Sequence, residues 1–129
     1  MDNINAKKGV LSVILSRKGN FSLEDFVETL QGFSLGLRHR HWETRNFAAH
    51  KATEQIQDSL DGLIDDFVEA YVGFTKADPK FKKTVAVDYD SASVISCLKS
   101  MDLTDSSLLN IRDEILSAVY KLQYLERLS

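Results

Sequence analysis

The chain has 129 residues, 43% hydrophobic and 27% charged, with a formal net charge of −3 and a single cysteine. That size and balance describe one folded domain over residues 1–129 and exclude a disordered chain. A lone Cys97 excludes an internal disulfide framework and fits a reducing, cytoplasmic setting, where its plain reading is a small core residue. No run approaches the roughly 18 apolar residues of a membrane span, and an acidic chain without a basic tail argues against nucleic acid as a partner.

In chain order, residues 4–17 read as a short extra N-terminal element, a helix with a strand as the alternative. Val10 to Leu15 follow Lys7-Lys8 in the manner of a signal peptide, yet no small-residue cleavage site comes after them. Gly19-Asn20 is a turn, and Ser22 with Asp25 forms an N-terminal cap. Leu23, Phe26, Val27, Leu30, Phe33 and Leu37 then recur at helical spacing, predicting a helix to about residue 42. Gly32 and Gly36 within it mark a close approach, which in such patterns is made by another helix.

Thr44 or Asn46 caps a second long helix, expected to end at Val72 with Gly73 as its C-terminal cap. Its inner residues are Ile56, Leu60, Leu63, Ile64, Phe67 and Tyr71. Residues 74–90, with the only proline, Pro79, form a long connection. A short third helix covers 91–98, and Thr104 or Asp105 caps a fourth with Leu108, Ile111, Ile115, Val119, Leu122 and Leu125 inside. The plan is all-α, an antiparallel four-helix bundle with one long crossover.

The second helix carries the chemistry. With His50 set at zero on an ideal helix, Glu54, Asp65 and Glu69 lie at about 40°, 60° and 100°, one stripe well away from the apolar set near 270°. Asp58 and Asp61 fall on the same stripe, as solvated groups or secondary ion contacts. The plain alternative is a solvated acidic face. Against it, His50/Glu54 and Asp65/Glu69 are i, i+4 pairs, each able to hold one ion, and a mixed imidazole–carboxylate set suits iron, manganese or zinc. His50 and Asp65 stand about 22 Å apart along one helix, so a shared ion requires a second, antiparallel copy. Metal binding by this set therefore implies a homodimer through the second long helix.

The stretch His41-Trp42-Glu43-Thr44-Arg45-Asn46-Phe47-Ala48-Ala49-His50, with Glu54, Asp65 and Glu69 following, resembles the Dps or mini-ferritin family. It is similar above all to short ferritin-like proteins of unknown function encoded by tailed phages. The resemblance implies a ferritin-like bundle and an inter-subunit ferroxidase site that oxidises Fe(II) with peroxide or oxygen. Its ligands would be His41, His50 and Glu54 from one chain and Asp65 and Glu69 from another, in a dimer or a higher homo-oligomer. Glu54 stands where that family has aspartate, and the loop between the histidines is shorter. Read singly, His41 is a helix-capping histidine, Trp42 a packing anchor and His39 a surface residue.

Two other readings stand beside this one. Arg45-Asn46-Phe47-Ala48-Ala49-His50 also resembles the Arg–polar–His motif of HEPN ribonucleases, which act on RNA without metal. A third reading is a non-enzymatic helical interaction protein, of the kind with which a phage takes over its host.

Overall fold

A computed structural model describes residues 21–128, and the expected element at 4–17 and the turn at 19–20 lie outside them. The described residues form α1 (Leu23–Glu43), α2 (Phe47–Thr75), α3 (Ser91–Lys99) and α4 (Ser106–Glu126), with no strand among them. No helix among them is long and apolar enough to cross a membrane.

Each helix begins where a short polar side chain captures a free backbone amide. Ser22 accepts from Asp25 N–H, Asn46 from Ala49, Asp90 from Ser93, and Asp105 from Ser107 and Leu108. Of the paired alternatives, Asn46 rather than Thr44 and Asp105 rather than Thr104 do the capping. The Thr44 hydroxyl instead accepts from Asn46 N–H and shapes the turn. The Ser107 hydroxyl that donates to Asp105, and after it the amide bonds that Asp105 accepts, hold its carboxyl below the usual range.

Contacts between α1 and α2 converge on their connecting turn: Phe26 meets Phe67, Ser34 meets Asp61, Arg38 meets Gln57 and His41 meets His50. The two helices therefore run in opposite directions. α4 lies along the other side of α2, and α3 packs on α4. Arg112 of α4 donates to the Leu98 carbonyl near the end of α3, and Ser91 at its start donates to Glu126. The side chains share one core, with Phe26, Leu30, Phe33, Ile56, Leu60 and Phe67 fully buried and Leu98, Ile115 and Leu122 beside them. Each such burial contributes about 1.5–3 kcal/mol. Cys97 sits inside this core, where burial pushes its thiol up to about 12, and the same burial raises Tyr89 to about 12. A thiol so held is structural, as its composition-based reading had it.

Three expectations need correction. Gly73 does not end α2; the helix continues to Thr75, whose hydroxyl bonds back to the Tyr71 carbonyl, and Lys76 adopts the left-handed turn with φ 60°. A glycine costs helix stability only about 1 kcal/mol, too little to stop a helix whose neighbours Tyr71 and Val72 pack on the core. The Gly32/Gly36 face meets an extended segment rather than a helix. Val87 N–H donates to the Gly32 carbonyl at 2.9 Å, and a Cβ at Gly36 would collide with the Val87 backbone. The connection from α2 to α3 thus lies along α1, anchored also by Lys80 to Glu24 and Thr84 to Gln31. Finally, Trp42 does not anchor the core: it is 69% exposed, with Phe47 at 73% beyond the turn.

Candidate metal centre

The turn between α1 and α2 brings His41 and His50 together. Their rings stack with centroids 3.8 Å apart and 21° between planes. His41 Nδ1 lies 2.8 Å from the His50 carbonyl, and His50 Nδ1 lies 2.9 Å from the His41 carbonyl. A carbonyl only accepts, so each Nδ1 carries a proton, and in the neutral ring each Nε2 keeps its lone pair. Backbone bonding of this kind orients an imidazole for ligation. His41 is 7% exposed, whereas His50 is half-buried at the edge of the pair. The His41 bond crosses to the first turn of α2 and so does not cap its own helix. His39 is exposed, as expected, and stacks on Trp42.

Glu54, one turn beyond His50, is half-buried and reaches Lys51 at 3.6 Å. It does not join both histidines in a group of converging ligand atoms. The other predicted half-set does converge. Ligand oxygens of Asp65, Asp66 and Glu69 lie within 4.8 Å of one another, all exposed. Among the described residues, none of the three side chains has a hydrogen-bond or ion-pair partner. The sequence stripe omitted Asp66. Its i, i+3 relation to Glu69 was the available signal, since such positions are surface neighbours on a helix.

Between the two half-sets the stripe is structural. Asp58 pairs with Arg38 at 3.2 Å. The Asp61 carboxylate accepts from Ser34 at 2.6 Å and from Gln57 at 2.6 Å, while Arg38 donates to the Gln57 carbonyl oxygen. Arg45 lies exposed in the turn, and the Asn46 side chain of the ribonuclease-like motif is occupied in capping α2.

Residues 41–125 match the model of a family described as a family of unknown function (DUF5856), a span that includes every predicted ligand position. No curated protein and no solved structure matches the chain.

Proposed function

The chain belongs to DUF5856, and from its own geometry we propose that it is an iron-binding protein with a ferritin-like helical plan, its metal site formed between two copies. The observation that carries this reading is the convergence of the Asp65, Asp66 and Glu69 carboxylates within 4.8 Å. Hard oxygen donors of that kind, completed by an imidazole nitrogen, suit Fe(II) and Fe(III), and also Mn(II) or Zn(II).

His50 is the candidate imidazole, because its Nδ1 is held by backbone and its Nε2 is free. It stands about 22 Å from Asp65 along one helix, so the pair meets only across a second, antiparallel α2. Two features support that pairing. Residues 52–75 of α2 contain six acidic side chains and no Lys or Arg, whereas Arg38, Arg40, Arg45 and Lys51 cluster about the turn. Antiparallel copies lay the basic end of each against the acidic half of the other. Trp42 and Phe47, both largely exposed, are the kind of apolar pair that a partner covers.

His50 and Glu54 of one chain then face Asp65 and Glu69 of the other, in two symmetric sites. A nitrogen lone pair lies in its own ring plane, so two stacked rings cannot aim at one ion. His41 therefore acts in this reading as the positioning residue for His50. Bound iron supplies one-electron redox chemistry, with peroxide or oxygen as acceptor. The protein's part is to hold the ion with carboxylates that stay bound as iron hardens, while His50 fixes direction. Helix order supports the ferritin-like plan: an α1–α2 hairpin, a long crossover and an α3–α4 hairpin.

The test is aerobic Fe(II) oxidation by the wild type and by Asp65→Asn/Glu69→Gln, with metal content and light scattering on the same samples. A dimer that oxidises iron, and a variant that neither holds nor oxidises it, are expected. Equal rates, or a monomeric wild type, would overturn the proposal.

A further inference from the structure

A groove of about 450 Å³ follows the α1–α2 seam beneath Phe81, within the usual size of small-molecule sites. Val27, Leu35, Ile64, Val68 and Phe81 make it apolar, and Ser34, Gln57 and Asp61 supply a polar patch, with Asp65 one turn further along α2. Among the described residues no Lys, Arg or His lines it, for Arg38 is turned to Gln57 and Asp58. We propose that this groove binds a linear aliphatic diamine, one ammonium on Asp61, the other on Asp65, with the methylene chain against the apolar wall. The metal reading does not require this site, although the two share Asp65.

The argument rests on how Asp61 is held. An ionised carboxylate offers about four acceptor positions. Two of them are filled by Ser34 and Gln57, both buried, which fixes the group in place. The rest face the groove, so an arriving ammonium meets an oriented acceptor and no side chain has to be reordered. A neutral apolar ligand would strip water from that carboxylate without replacing it, at a cost of a few kcal/mol. An anion would be repelled by both carboxylates.

Spacing separates a diamine from a metal ion. Asp61 and Asp65 are i, i+4, about 6 Å apart along the axis. Asp61 is absent from the converging carboxylate group, which turns from Asp65 towards Asp66 and Glu69 instead. Two carboxylates one helical turn apart can each take a separate cationic head. The Phe81 ring, half-exposed over the seam, gives the connecting methylenes an apolar surface.

The experiment is calorimetric titration of the full chain with putrescine, n-butylamine and n-butanol. One-site binding of putrescine is expected, severalfold tighter than n-butylamine, with none of n-butanol, as a second ion pair at the exposed Asp65 requires. Asp61→Asn should weaken putrescine about tenfold, and Phe81→Ala, outside every helix, severalfold. Glu69→Gln should leave putrescine binding intact while lowering metal content, which separates this site from the metal site. Absence of putrescine binding overturns the proposal. So does binding that ignores both Asp61→Asn and Phe81→Ala, since that is diffuse attraction to an acidic surface. Joint loss of amine and metal in Glu69→Gln would also overturn it, because the groove would not be a separate site.

Discussion

At the turn between α1 and α2 the titratable side chains bond to backbone, whereas about four turns further along the same helix they face solvent together. His41 and His50 each donate to the other's carbonyl and stack at 3.8 Å. Asp65, Asp66 and Glu69 have no such partners among the described residues and converge on one another. Both ends show the i, i+4 spacing of ligand pairs, and spacing alone makes them equivalent. The difference lies in what remains for a ligand: one nitrogen per imidazole at the turn, every oxygen at the acidic end. The first region is a structural clasp with a lone pair left over. The second is a set of like charges held close, which favours a cation.

This contrast is open to attack, and the largest expected effect is at the clasp. His41→Ala removes a buried ring and the donor to the His50 carbonyl, which keeps only its Thr53 hydroxyl besides helix bonding. Urea unfolding should show a loss of about 2 kcal/mol. A loss below half of that would mean that the ring pair is incidental to the fold. Asn46→Ala comes next: it frees the amide of Ala49 at the start of α2 and should cost about 1 kcal/mol. Because that cap sits between the two histidines, its loss should also slacken their bonds, visible as faster amide exchange at His50 and Lys51. Unchanged exchange there would show that the histidines hold the turn without the cap.

The helices were legible in the sequence because their signals are local. Ser22, Asn46 and Asp105 each precede an apolar period of helical spacing, and capping needs nothing beyond three residues. Ends were less legible. Gly73 invites a stop, but the continuation to Thr75 depends on Tyr71 packing against Phe21, a contact between distant parts of the chain. The Gly32/Gly36 pair announced a close approach without saying to what, since an extended backbone and a helix both need the missing Cβ. At the site, His50 and the Asp65/Glu69 pair were readable from spacing. The clasp was not: it depends on a turn of three residues that lets two rings overlap, and no periodicity encodes ring stacking. Phe81 was invisible for the same reason, being brought over the seam by a connection anchored at Glu24 and Gln31.

His50→Asn sharpens the comparison within one residue. The asparagine amide can donate where Nδ1 does, to the His41 carbonyl, but it has nothing in place of Nε2. If the clasp and the ligand role are separable, stability should fall by less than about 1 kcal/mol while metal content drops at least tenfold. Loss of both together would mean that ring stacking, rather than the hydrogen bond, orients the turn. Retained metal would assign the ion to the carboxylates alone and remove the need for a second chain.

The smallest expected effect falls at the acidic end. Asp65→Asn/Glu69→Gln removes two exposed charges that have no hydrogen-bond or ion-pair partner among the described residues, so unfolding should move by no more than about 0.5 kcal/mol. The sign carries the information. Three carboxylates within 4.8 Å repel, so without a bound ion the neutral variant should be slightly the more stable. With a saturating divalent metal the order should reverse, because only the wild type gains from ligand linkage. Calorimetric melts of both proteins, with and without metal, read this directly. If the order stays the same in both conditions, the cluster is a solvated face, and the two ends of α2 differ in burial alone.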